Sequence, residues 1–209
     1  EGFRDRHYPP STVLPMFMYQ ALNQDSSCQN IVNKLNVDRV KQGLEPLSSH
    51  TGGYCQARKR LPLEMVEALV KESGKRLSSN SLNPWLWKGR KVKLADGTTI
   101  LLPDSEDNQS HYPQHGQQAD GAGFPIIRMV AVLCLATGGV LDFNVGAYRG
   151  KGTGEHSLFR GLLDCFEKGD ILLADRYYAS FFLVAELINR EVDTVFEQHL
   201  LTIPSYLLS

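Results

Sequence analysis

The spacing of apolar residues changes after Trp87, and that change constrains the chain more than any other feature. Upstream, apolar residues recur every three to five positions, the period of helices packed along one side. Downstream they alternate or run in short unbroken blocks bounded by Gly, Asp and Pro, which is the pattern of strands. A chain of 209 residues has room for one sizeable core and a smaller module. The expectation is therefore a small all-α part followed by a mixed α/β core.

Four helices are read in the first half. TVLPMFMYQAL follows Ser11, with Pro15 placed within or near its first turn. A second helix starts after Asp25 or Ser26 and stops at Gly43, with Ile31, Val32, Leu35 and Val40 as its apolar positions. A third is capped by Ser49 or Thr51 and ends in the basic triplet Arg58, Lys59 and Arg60. Pro62 opens the fourth, with Leu63, Val66, Leu69 and Val70 on one side. The polar SSNSLNP reads as a linker. The domain boundaries expected are 1–80 for a helical domain, 81–90 for the linker, 91–199 for the α/β core and 200–209 for an atypical tail.

From residue 91 the order reads β-β-β-α-β-α-β. KVKLADGTTILLP alternates and turns at Asp96-Gly97. Residues 104–125 form an irregular loop, of a length usually reserved for function or motion. RMVAVLCLAT, a turn at Gly138-Gly139 and VLDFNVGAY make an antiparallel pair. GEHSLFRGLLDCFEKG is a helix ending at Gly169, DILLAD a short buried strand, YYASFFLVAELINR a helix and VDTVFE a strand. Three antiparallel strands followed by alternating helices and parallel strands is the order of a ribonuclease H-like fold.

Composition narrows the function classes. Apolar residues are 42% and charged residues 22% of the chain, so it is not a disordered one. Its longest uncharged apolar run, from Met129 to Ala136, is far below the roughly 20 residues that span a bilayer. No secretory signal opens the sequence, and its first residue is Glu rather than Met, which points to a start inside a longer reading frame. Cys28, Cys55, Cys134 and Cys165 have neither clip nor zinc-finger spacing. A cytoplasmic protein with reduced thiols and no membrane partner is expected. Residues 1–90 carry 13 basic against 8 acidic side chains, and residues 91–209 carry 9 against 15. A basic front joined to a carboxylate-rich back fits a polyanion binder attached to an acidic site, and fits chance unevenness about as well.

Two aspartates stand out by position. Asp96 follows KVKLA in the first α/β strand, and Asp175 follows ILLA in the fourth. Carboxylates released at the C-terminal ends of strands lie where α/β sheets bind ligands. In the ribonuclease H order the first and fourth strands are neighbours, which puts the two acids within reach of one hard cation such as Mg²⁺. A second cation would complete a clamp for phosphoryl transfer. Taken singly, Asp96 is equally well a turn residue and Asp175 a helix N-cap.

The strings VKLADGTTILLPDSEDNQSHYPQ, GKGTGE and LLADRYYASFFLVAEL, with TGGYCQARKRLP upstream, resemble the insertion-sequence transposases of the DDE superfamily, insertion-sequence-four branch. The resemblance runs from about residue 4 to His199. It implies a metal-dependent DNA strand-cutting and strand-transfer enzyme, with Asp96 and Asp175 as the first two acids of its triad and two Mg²⁺ ions as cofactors. It implies DNA partners, the element's terminal repeats and target DNA, and a homodimer on DNA ends. The family's third acid, a Glu in a downstream Tyr-x2-Arg-x3-Glu-x6-Lys signature, has no counterpart here. Glu186 and Glu191 lack the family spacing and read as solvated surface. The tail LLTIPSYLLS no longer resembles the family, as a frameshift or premature stop would leave it. A chain with two of three acids is expected to be dead or nearly so as an enzyme. A DNA-binding remnant that blocks an intact copy, and a fragment that folds poorly, are the readings set beside it.

Weaker signals complete the set. Arg58, Lys59, Arg60, Lys151 and Arg176 are candidates for phosphate contact, with Lys88 and Arg90 beside them. A solvated helix face explains the triplet nearly as well, and Arg176 equally serves to hold the Asp175 carboxylate. The glycines around Lys151 do not make a phosphate loop, because Gly146 to Gly150 encloses three residues and Lys151 precedes Gly. Pro113 between His111 and His115 argues against a zinc pair. Trp85 and Trp87 read as packing anchors.

Overall fold

A computed structural model describes residues 7–117, 119 and 121–197. The chain folds as two compact units divided between Ala68 and Leu69. The division falls inside a helix, upstream of the 81–90 segment read as a linker.

The first unit is built on helices α1 (Pro10–Leu22), α2 (Cys28–Lys41) and α3 (Gly52–Lys59). Its core is Val13 and Met16 from α1, Ile31 and Val32 from α2, and Tyr54 and Ala57 from α3. Pro15 lies well inside α1 rather than in its first turn. The cap of α2 is Ser27, whose hydroxyl accepts from the Asn30 N–H at 3.1 Å. Val40, read as a core position, is 58% exposed because α2 turns that face away from its neighbours. The four cysteines are free thiols, and Cys28 and Cys55 lie with their sulfurs 3.6 Å apart.

Helix α4 (Leu63–Ser79) departs from its sequence pattern. Leu63 and Leu69 on the apolar side are exposed, and the buried positions are Gly74 and Ser78, one turn apart. The missing side chain explains the inversion. A Cβ at Gly74 would come within 1.8 Å of the Val140 carbonyl oxygen, so only glycine lets the helix lie this close to the strand. Lys71 adds an ion pair to Asp142 at 2.9 Å.

The second unit holds a five-stranded sheet: β1 (Val92–Leu101), β2 (Ile126–Cys134), β3 (Val140–Ala147), β4 (Ile171–Ala174) and β5 (Asp193–Phe196). The strand order is β3-β2-β1-β4-β5. The pairs β1–β2 and β2–β3 are antiparallel, while β1–β4 and β4–β5 are parallel. The chain is thus a mixed α/β protein behind a helical first part, in the element order the sequence pattern predicts. Ala95, Val130, Val132, Leu172 and Ala174 on the sheet pack against Phe159, Phe166, Tyr178, Leu183 and Leu187.

Four local expectations are corrected. Asp96-Gly97 is no turn: β1 runs straight through, pairing with β2 from Lys93 to Leu101. A ten-residue strand paired along its length overrides a dipeptide preference. The 104–125 stretch contains a short helix, α5 (Glu106–His111), capped by Ser105 and led by two acids that favour a helix N-terminus. The helix after β3, α6 (Glu155–Arg160), ends nine residues early. Asn144 of β3 donates to the Leu158 carbonyl at 2.8 Å, and Leu162 N–H bonds back to Phe159 instead, tightening the chain into 3₁₀ geometry. Trp85 and Trp87 are more than half exposed, so neither is buried as an anchor. Helix α7 (Phe181–Asn189) follows β4 as expected. The tail after Glu197 lies outside the described residues. No helix among the described residues is long and apolar enough to cross a membrane.

One buried ion pair ties β1 to the entry of β4. Lys93 and Asp170 are 3% and 4% exposed, with Nζ and Oδ2 2.5 Å apart. Lys93 also donates to the Cys165 carbonyl, and Asp170 accepts from the Glu167 N–H at 2.7 Å. Arg90 is structural rather than free for DNA. It donates to the carbonyls of Gly169 and Asp170 and pairs with Asp193 at 2.6 Å, clamping the starts of β1, β4 and β5.

Two stability measurements follow. Lys93→Met leaves the Asp170 carboxylate buried without its counter-charge, and is expected to lower the unfolding free energy by about 3–5 kcal/mol in urea denaturation. Gly74→Ala is expected to cost about 1–3 kcal/mol in the same assay, since its methyl meets backbone that cannot swing aside.

Candidate acidic site at the edge of the sheet

Strand register brings the two predicted aspartates together. In the parallel β1–β4 ladder Ala95 pairs with Ala174, so the next residues, Asp96 and Asp175, leave the ladder side by side. Neighbouring strands lie about 4.8 Å apart. Beyond this point β4 has ended while β1 continues to Leu101, paired there with β2.

The two carboxylates are held differently. Asp96 is exposed, and its Oδ1 accepts from the N–H of Gly97 at 2.8 Å. Asp175 is exposed and extended, and caps the 3₁₀ turn Arg176–Tyr178 by accepting from the Tyr177 N–H. The N-cap role and the edge position therefore coexist at Asp175. Neither aspartate has an ion-pair partner among the described residues, and Arg176 does not hold the Asp175 carboxylate.

The third acid near this edge went unmarked in the sequence. Glu155 opens α6, and its carboxylate fills the space that a side chain at Gly97 would take: a Cβ there would be 2.7 Å from its Cδ and 2.9 Å from Oε2. Arg128 of β2 approaches from the other side, with Nε 3.7 Å from Glu155 Oε1. The same guanidinium donates to the Thr153 carbonyl at 3.2 Å and lies over the Tyr148 ring at 4.9 Å. Glu155 closes the string GKGTGE, but only the fold pairs it with Gly97, and nothing in that string marks it as a neighbour of Asp96.

Tyr178 closes the site from the core side. It is 1% exposed, and its hydroxyl is buried without a hydrogen bond of good geometry. Burial pushes its phenol well above the usual tyrosine range, and the negative charges of Glu155, Asp96 and Asp175 push the same way. The Nε of Arg128 is a second buried donor without a hydrogen-bond partner. His156 packs at a tilt against Tyr177 and Tyr178, with ring centroids 4.6 and 5.8 Å away.

Two carboxylates, each with one oxygen committed to a backbone N–H and no cation against it, make a hard oxygen donor set. Such a pair suits Mg²⁺, which is commonly held by one or two carboxylates, several waters and substrate phosphates. Among the described residues no three His, Cys, Asp or Glu side chains gather into a group that holds a metal by protein ligands alone. The donor set thus fits a partly hydrated cation and not a closed protein cage.

The other predicted contacts are scattered. Lys151 is exposed in the turn joining β3 to α6, flanked by Gly150 and Gly152 at positive φ, so its glycines serve the connection. Arg176 is exposed beside Asp175. In the first unit Lys59 and Arg60 are exposed, whereas Arg58 turns inward, donating to Gln20 at 3.1 Å and lying over Phe17 and Tyr54. Glu186 and Glu191 pair with Arg190 and Lys168 on the surface, as expected.

No family model and no curated protein matches the sequence. Among solved structures, the chain is similar to the piggyBac transposase in a synaptic complex with hairpin DNA, at 10% identity and a TM-score of 0.44, over 96% of this chain and 44% of that one. It is also similar to the Mos1 transposase in a paired-end complex with the left transposon end, at 12% identity and a TM-score of 0.33, over 93% of this chain and 60% of that one. The chain thus spans about half the length of these proteins. At such identities and scores the likeness adds nothing to the topology already described.

Substitution at Asp175 separates its two roles. Asparagine keeps a good cap acceptor, so Asp175→Asn is expected to melt within a degree or two of the parent, on the order of a few tenths of a kcal/mol. Asp175→Ala is expected to lose about 0.5–2 kcal/mol. Thermal denaturation followed by circular dichroism reads both.

Proposed function

We propose that this chain is a DNA transposase polypeptide of the DDE type with a ribonuclease H-like core, whose Asp96 and Asp175 carry Mg²⁺ at a DNA phosphodiester. The observation that carries the reading is the placement of these two unpaired carboxylates, side by side where β1 and β4 part. Mg²⁺ there would polarise the phosphodiester and lower the pKa of a bound water. Asp96 and Asp175 supply oxygen ligands and fixed negative charge, and need no unusual pKa for that work. Lys151 and Arg176, exposed in the second unit, and Lys59 and Arg60, exposed in the first, offer phosphate contacts that fix DNA without reading its sequence. The element's terminal repeats and target DNA are the partners this reading names.

A second reading, a DNA-binding remnant without catalysis, is favoured by one observation. No three-residue metal group exists among the described residues, so the second cation of a two-metal clamp has no evident holder. Binding and blocking an element end requires only the basic contacts.

A charge-neutralising substitution tests the proposal. Without metal, Asp96 and Asp175 repel phosphate, so Asp96→Asn is expected to bind element-end DNA at least as tightly as the parent in EDTA. Adding Mg²⁺ or Ca²⁺ is expected to tighten DNA binding by the parent several-fold and to do nothing comparable for Asp96→Asn. Fluorescence anisotropy at fixed ionic strength measures this. Equal metal responses in the two proteins would sink the acidic-site reading. Nicking of the same DNA decides between the two readings: Mg²⁺-dependent nicking lost in Asp96→Asn supports the enzyme, and binding without nicking supports the remnant.

A further inference from the structure

Two thiols of the helical unit meet across its helices. Cys28 opens α2 and Cys55 lies midway along α3, 27 residues later, yet the Cys55 S–H donates to the Cys28 sulfur at 3.6 Å. That is about the van der Waals contact distance of two sulfurs. Both side chains are half-buried, so a small oxidant reaches them.

Gln20 of α1 sets the pair in place. Its Nε2 donates to the Ser26 carbonyl at 2.6 Å and reaches the Cys28 sulfur at 3.6 Å. Its Oε1 accepts from the Tyr54 hydroxyl at 2.7 Å and from Arg58 at 3.1 Å. One buried amide thus ties the start of α2 to the helix that carries Cys55. The inward turn of Arg58 gains a purpose here. Burial and the hydrogen bond to Cys28 push the Cys55 thiol up, and the Arg58 charge opposes that rise.

The other two cysteines are shielded. Cys134 is 0% exposed. The Cys165 thiol is pushed up to about 12 by burial, with Asp142 adding to it, so it carries almost none of the reactive thiolate. The pair is no metal cage either, since among the described residues no third His, Cys, Asp or Glu joins it.

We propose that Cys28 and Cys55 form a redox-modification site, oxidised by a peroxide to an intrachain disulfide that staples α2 to α3. The Cys28 sulfur attacks the peroxide. An S–O bond forms, the O–O bond breaks, and the departing hydroxide takes the thiol proton and leaves as water. The Cys55 sulfur then attacks that of Cys28. The S–S bond forms, the S–O bond breaks, and the hydroxyl leaves with the Cys55 proton as a second water. The sulfurs lose two electrons and the peroxide gains them. A dithiol reductant reverses the change by thiol–disulfide exchange. The bridge restricts the unfolded chain between the two cysteines, so the oxidised helical unit resists opening. Transient bridges of this sort suit a protein kept in a reducing compartment.

The test uses the full chain, reduced and then exposed to hydrogen peroxide, with remaining thiols blocked and peptides mapped by mass spectrometry without reductant. Free thiols are expected to fall from four to two, with Cys28 joined to Cys55 and with Cys134 and Cys165 unmodified. Dithiothreitol is expected to restore all four. Followed by circular dichroism, the oxidised parent is expected to melt about 5 °C or more above the reduced one. Cys55→Ser is expected to melt at one temperature before and after peroxide. The inference is overturned if Cys28 and Cys55 stay free or oxidise separately, or if either is bridged to Cys134, Cys165 or a second chain. A Cys28–Cys55 bridge that leaves the melting temperature unchanged overturns it as well. None of these outcomes bears on the acidic edge, which the inference does not use.

Discussion

The geometry of the acidic edge depends on the buried pair of Lys93 and Asp170. Taking two charges out of water is costly, and the contact is tolerable only where both are fully engaged. Here the ammonium has Asp170 and the Cys165 carbonyl, and the carboxylate has Lys93 and the Glu167 N–H. Such a contact discriminates between registers. Sliding β4 by one residue would turn its side chains to the wrong faces, and sliding it by two would strand both charges. With Lys93 fixed, Ala95 meets Ala174, and the aspartates that follow are neighbours. Arg90 reinforces the arrangement from the strand entrances.

Negative charge at the edge is distributed by local structure. One oxygen of Asp96 and one of Asp175 are tied to backbone N–H groups, which orients each carboxylate while leaving its charge uncompensated. Glu155 is different, because Arg128 stands 3.7 Å away. The edge therefore presents two free anions and one balanced one, with a neutral phenol behind them. Electrostatics of this kind favours a divalent cation over a monovalent one and disfavours any anion at the edge.

Element order and the aspartate pair were legible in the sequence because both rest on patterns of one strand at a time. ILLA before Asp175 and KVKLA before Asp96 announce buried strands, and the β-β-β-α-β-α-β order makes those strands neighbours. What was not legible depends on contacts distant in the chain. Asp96-Gly97 carries a turn preference that pairing with β2 overrides. Asn144 on β3 intercepts the Leu158 carbonyl and ends α6 early, though the helical pattern continues. Helix α4 buries its glycine rather than its leucines because the Val140 carbonyl comes so near. Glu155 was missed for the same reason: its partner is a glycine 58 positions upstream, and absence of a side chain leaves no pattern.

The parallel ladder between β1 and β4 also has a history in time. Strands β1, β2 and β3 are consecutive and antiparallel, so they can zip together soon after they emerge. The β1–β4 pairing joins residues 79 apart, and its loop must close before any contact rewards it. Asp96 and Asp175 thus meet only when the sheet is nearly complete. A nascent chain passes most of its folding with its acids apart, and acquires its acidic edge as one of its last events.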